Sequence, residues 1–176
     1  MKHIYQIIVG MFLAIPVLAC GGEVQTIGHY SKFSQDVISN EPHPEGYAIH
    51  LYKQGNILFG ELEVGTGSID IEGGLLENIT IDETTKNLKF TAKLSTALTH
   101  DPETGGWRPT RDLYIFSGKI NKYFIVGTIE HRDGYKKDVP GSVQRIKLPH
   151  VKEKTWVYSV PSSMSEWLKD QSPQDW

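Results

Sequence analysis

From Gly46 onward apolar and polar residues alternate one for one, the period of a half-buried strand rather than the 3.6 period of a helix. Tyr47, Ile49 and Leu51 alternate with Ala48, His50 and Tyr52. Gln54-Gly55-Asn56 supplies the residues that tolerate positive φ in a tight turn, and Leu58, Leu62 and Val64 continue the return strand. A second hairpin runs from "LLENITID" through "ETTKN" to "LKFTAKL". There Leu88, Phe90, Ala92 and Leu94 form one face, and Lys89, Thr91 and Lys93 the other. "RDLYIFSGKINKYFIVGTIEHRDG" predicts a third hairpin turning at Asn121-Lys122, and "SVQRIKL" predicts the last strand.

Strands of this length and spacing predict an all-β antiparallel meander over residues 46–150, closing into a small up-and-down barrel or a compact sandwich. The spacing is similar to a lipocalin-type barrel, an architectural analogy with no lipocalin signature motif behind it. Phe59–Gly65 and Ser117–Gly127 echo one another faintly, and glycines inside strands often mark bulges or barrel corners. Residues 23–45 are polar and carry Pro42 and Pro44, so residues 20–45 predict an extended linker. Residues 151–176 predict a tail with one short helix. Ser163 stands three before Glu166, a capping-box spacing, and Met164, Trp167 and Leu168 share a face that can pack on the barrel or plug one end.

The amino-terminal pattern is different in kind. Ile4 to Ala19 is almost wholly apolar behind Lys2, and the run Ile7 to Ala19 within it is too short for a comfortable transmembrane helix and of the length of a signal-peptide core. It ends Val17-Leu18-Ala19-Cys20, with the chain's single cysteine. This resembles a bacterial lipobox. The resemblance covers residues 1–20 alone. It implies a signal peptide over 1–19, acylation of Cys20, and a lipid-anchored protein of the bacterial cell envelope. Gly21 after the cysteine fits outer-membrane sorting. An ordinary secretory signal cut after Ala19 is the alternative, and it leaves a bare thiol in an oxidising compartment.

Composition narrows the functional classes. The chain has 176 residues, and removal of the first 19 leaves 157, enough for one domain with a sizeable core. The formal charge of −3 becomes −4 when Lys2 goes, and no basic run exists. That argues against nucleic acid as a partner. No Gly-x-Ser-x-Gly elbow is present, and Glu61 and Glu63, two apart on one strand, read as a solvated face, so no catalytic residue is expected. The seven histidines lack metal-ligand spacing; His43, His100 and His131 could meet only if loops brought them together. No metal and no cofactor is expected.

Two binding readings remain, beside a purely structural envelope role. The stretch Thr99–Arg111 is longer than a hairpin turn and carries His100, Trp107, Arg108 and Arg111. Trp and Arg are the residue types most enriched where protein partners bind. The stretch therefore predicts a non-enzymatic protein-binding module, of the kind that toxin immunity proteins and hydrolase inhibitors form, unless Trp107 folds back on the rim. Alternatively, Tyr47, Tyr52, Tyr114, Phe116 and Phe124 line a hollow barrel that carries a small apolar ligand.

Overall fold

The structure is a computed structural model that describes residues 22–38, 41–136, 138–152 and 160–169, together with Gln174 and Trp176. The lipobox and Cys20 lie outside the described residues. Ten strands are described: β1 (Val24–Ile38), β2 (Glu41–Gln54), β3 (Ile57–Thr66), β4 (Ile71–Ile81), β5 (Asn87–Leu94), β6 (Leu98–His100), β7 (Trp107–Pro109), β8 (Asp112–Ile120), β9 (Phe124–Asp133) and β10 (Ser142–Pro149). One helix, α1 (Met164–Lys169), follows. Eight strands form a single antiparallel sheet in the order β1-β2-β3-β4-β5-β8-β9-β10, and β6 and β7 form a separate two-stranded ribbon. The sheet is the expected meander. It curls into a half-barrel, and its first strand meets the chain just past its last at one isolated bridge, Tyr30–His150.

The alternation read from the sequence decides what lies inside. Leu88, Phe90, Ala92 and Leu94 of β5 are all buried, and Phe90 stacks on Phe116 of β8 with ring centroids 5.0 Å apart. Ile49, Leu51, Leu62, Val64, Ile125, Ile129 and Leu148 belong to the same cluster. Each such side chain contributes roughly 1.5–3 kcal/mol by leaving water. With one cysteine in the whole chain, this packing holds the fold without an internal disulfide.

The structure departs from two expectations. The stretch 20–45 is not a linker throughout, because β1 and the start of β2 occupy it and pair from Val24–Gln54 to Ile38–Glu41. Apolar residues in β1 recur every third position, at Val24, Ile27, Tyr30 and Phe33, which hides a period of two. A register shift between Thr26 and Gly28 is one cause. Pro42 and Pro44 fit because their missing N–H groups fall on the side of β2 that faces away from β1; Pro44 offers its carbonyl to Gly67 N–H at 2.9 Å. Secondly, Glu61 and Glu63 are not a solvated pair. They lie on the outer face of β3 beside His50, where burial raises the pKa of Glu61, and His50 Nε2 stands 3.4 Å from Glu63 Oε2.

That outer face carries a second packed layer. His29 Nδ1 and His50 Nδ1 are 3.0 Å apart, hydrogen-bonded between cross-strand neighbours. Tyr52 stacks on Phe59 at 5.3 Å, and Trp167 of α1 lies 5.3 Å from Phe59. The helix therefore packs on the outside of the sheet. Ser163 caps it by accepting Glu166 N–H at 3.1 Å, while Glu166 accepts from the Ser162 hydroxyl. Gln54 Oε1 receives Met164 N–H at 3.0 Å and ties the helix start to the end of β2.

Candidate functional site

The stretch between β5 and β8 is a short hairpin, not an irregular loop. Leu98 pairs with Pro109, Thr99 with Arg108 and His100 with Trp107. Side chains alternate across a strand, so Leu98, His100, Trp107 and Pro109 share one face and Thr99 and Arg108 the other. All four residues of the first face are exposed. Trp107 is 74 % exposed and Leu98 64 %, and the His100 ring meets Trp107 edge-on at 6.3 Å. Trp107 does not fold back onto the barrel.

The opposite face is a brace. Arg108 Nη1 donates to Asp101 Oδ1 at 3.0 Å, and its guanidinium lies 3.6 Å from the ring centroid of Tyr135 in the β9–β10 connection. Arg111 approaches the same ring at 4.8 Å, and the Tyr135 hydroxyl donates to Pro109 O at 3.0 Å. Asp101 also organises the hairpin turn: it accepts the Thr104 hydroxyl and Glu103 N–H, and these bonds hold its carboxyl below the ordinary range. Gly105 supplies the positive φ the turn needs.

Asp112 anchors the base. Its carboxylate accepts Thr96 N–H at 3.0 Å, the Thr96 hydroxyl at 2.8 Å, the Thr110 hydroxyl at 2.5 Å and the His131 Nε2 proton at 2.7 Å. Burial alone would raise its pKa, but the bonds from His131, Thr110 and Thr96 outweigh it and hold the group at about 2. The His131 ring stacks on Tyr114 at 4.8 Å. So both ends of the 95–111 connection are bonded into the rim.

The residues named from the sequence therefore divide. His100 and Trp107 stand together on the outward face, whereas Arg108 and Arg111 turn to Tyr135 and hold the hairpin in place. Asp101, Asp112, Leu98 and Tyr135 complete the arrangement and were not singled out by sequence. The Asp101-x-x-Thr104-Gly105 turn was the one local signal available. Tyr135 comes from another connection and gave none.

The five aromatics expected to line one cavity do not converge. Odd and even residues of β2 face opposite ways, so Tyr47 points inward and Tyr52 outward under Trp167. Phe116 fills the solid core against Phe90, and Phe124 lies at the far end of β9 with Lys147 Nζ 4.7 Å from its ring. Only Tyr47 and Tyr114 line a cleft, of about 570 Å³, beside Val64, Ile146 and Leu148. Tyr47 O–H donates to Gln144 Oε1 across it at 3.0 Å.

The histidines considered for a metal stay apart. His43 Nδ1 bonds Gly67 O at 2.8 Å, His100 is on the hairpin, and His131 is bonded to Asp112. Among the described residues no three His, Cys, Asp or Glu side chains form a group that could hold a metal ion. Among the described residues no helix is long and apolar enough to cross a membrane. No protein-family model, no curated protein and no solved structure matches the chain.

Proposed function

We propose that this protein is a lipid-anchored bacterial envelope lipoprotein whose β6–β7 hairpin binds a protein partner, without enzymatic activity of its own. The observation that carries the reading is the exposure of Trp107 on a braced hairpin. A large aromatic left in water costs free energy, and a fixed one binds without a further ordering penalty. Trp107 is the anchor, and Leu98, His100 and Pro109 are the apolar and adaptable surround. Arg108 and Arg111 act through Tyr135 by holding the hairpin rigid. A rigid protruding hairpin suits insertion into a partner's cleft, which is how an immunity or inhibitor protein would work. The lipobox-like Val17-Leu18-Ala19-Cys20 supports acylation at Cys20 and an address at the outer membrane.

The test is capture of the partner by the full chain, expressed with a terminal tag in its native host, solubilised gently and weighed by native mass spectrometry. A stoichiometric protein that is lost on Trp107→Ala and on Leu98→Asp, with the melting temperature unchanged, supports the reading. A partner retained at equal stoichiometry by both variants overturns it. Mass analysis of the mature amino terminus tests the anchor: a chain that begins at an unacylated Cys20 refutes it.

A further inference from the structure

The sheet curls far enough to bring β1 and β10 together, yet among the described residues β1 bridges the chain at one place, just past the end of β10. Val151 N–H donates to His29 O at 2.8 Å, and Tyr30 and His150 form the isolated bridge there. Among the described residues the ladder goes no further; β1 and β10 are the two ends of the sheet. Backbone groups alternate between the two sides of a strand. Since the His29 carbonyl faces the seam, the odd-numbered residues of β1 face it too, and Phe33 is next in line beyond Ser31. On β10 the matching residues are Lys147, Arg145 and Val143. Their even-numbered neighbours serve the ladder with β9, such as Gln144 opposite Ile129.

The cleft of about 570 Å³ opens along this part of the seam, between Lys32 and Ser34 on one side and Gln144 to Leu148 on the other. Its floor is apolar, from Val64, Ile146 and Leu148. Its charged residues are Lys32, Arg145 and Lys147 against Glu45 alone, a local excess of two positive charges in a chain whose overall charge is −3. Lys32 lies on the inner side by alternation and Arg145 and Lys147 on the outer, so cations flank the seam from both faces.

We propose that the split seam between β1 and β10 is a second binding site, independent of the hairpin, that takes an extended acidic peptide segment by strand addition. The inserted strand would hydrogen-bond to the backbone of Arg145 and Lys147 along β10. Side chains on its one face would meet the floor of Val64, Ile146 and Leu148, and its carboxylates Lys32, Arg145 and Lys147. Unpaired edges are sites that other strands occupy. A free apolar ligand suits the cleft less well, because two strand edges and three cations line it.

The experiment pans a phage library of random linear nonapeptides against the full chain in detergent micelles. A synthetic copy of the most enriched peptide is then titrated into three variants. Arg145→Pro removes one seam-facing N–H and leaves the β9 ladder intact. Lys32→Glu/Lys147→Glu reverses the charge without touching the backbone, and keeps the test decisive should the proline variant fold poorly. Trp107→Ala reports on the hairpin alone. The expected result is enrichment of alternating sequences rich in Asp and Glu. Their affinity should fall at least tenfold in the first two variants and stay unchanged in the third. Three results overturn the proposal: no enrichment above bare micelles, peptides indifferent to both seam variants, or a dimer of the unliganded protein that Arg145→Pro dissolves. The last would assign the seam to a second copy of this chain. Loss of peptide binding in Trp107→Ala alone would place the peptides on the hairpin and leave the seam without a ligand.

Discussion

The guanidinium of Arg108 lies over the ring of Tyr135, 3.6 Å from its centroid, and joins a hairpin from one connection to a tyrosine from another. A cation over an aromatic face is worth roughly 0.5–2 kcal/mol. Here Arg111 shares the ring, and the Tyr135 hydroxyl bonds Pro109 O. Tyr135→Ala removes all three contacts and none of the barrel core. Amide exchange over residues 98–109 should accelerate by about tenfold while β5, β8 and β9 keep their protection. Partner capture should weaken with it. Unchanged exchange over the hairpin would show that Asp101 and Asp112 suffice to hold it.

Asp112 makes a sharper prediction. It is buried and accepts from Thr96, Thr110 and His131. Asp112→Ala leaves those donors without their acceptor and should cost about 3 kcal/mol of global stability. The pH dependence follows from its depressed pKa of about 2 against the ordinary 3.8. As pH falls, the unfolded chain takes up the proton first. The stabilisation is complete above pH 4 and is lost between about 4 and 2, to a total of about 2 kcal/mol. Urea midpoints across that range should fall more steeply for the native chain than for Asp112→Asn.

His29 acts in a higher window. Burial, then the neighbouring His50 and His150, lower its pKa from 6.5 to about 4, and Glu63 opposes them. The unfolded chain protonates near 6.5 while the folded chain resists until about 4. Stability present in full above pH 6.5 is therefore lost as the pH falls through that interval, by up to about 3 kcal/mol. His29→Gln should flatten the dependence between pH 6.5 and 4.5. A variant as pH-sensitive as the native protein would locate the titration elsewhere.

How far the sequence shows this architecture depends on whether one face of a strand stays wet. β5 alternates cleanly because Lys89, Thr91 and Lys93 face outward, so its core residues Leu88, Phe90, Ala92 and Leu94 are readable directly. β2 is harder, because its outer residues Ala48, His50 and Tyr52 are as buried as Ile49 and Leu51 inside. The cover over Tyr52 comes from Trp167, more than a hundred residues away. β1 was hidden by its bulge and by the prolines of its partner. For the site, Trp107 was legible by residue type. The direction of Arg108 was not, since it depends on Tyr135 and on a pairing of three residues a side. The open seam has no sequence signal, because closure of a curled sheet is set by the accumulated twist of eight strands.

The glycine pair at the β8–β9 crossing tests that curl. Gly118 stands opposite Gly127. A methyl group at Gly127 would sit 2.5 Å from Ser117 O, 2.6 Å from Gly118 Cα and 2.8 Å from Phe116 Cζ. Neither glycine needs positive φ, so the requirement is room. The Phe116 ring lies over the bare backbone and from there stacks on Phe90. Two of the three neighbours are backbone, which cannot swing aside as a side-chain tip can. Gly127→Ala must therefore part β8 from β9 or push Phe116 out of its stack, an overpacking cost of about 3 kcal/mol. That corresponds to a fall of roughly 10 °C in melting temperature for a domain of this size. Gly106→Ala is the control: its nearest neighbour would be Thr104 Oγ1 at 3.5 Å, ordinary contact, and its melting temperature should not move. If Gly127→Ala melted with the control, Phe116 would have another place to go, and the close approach of β8 and β9 would not be what bends the sheet there.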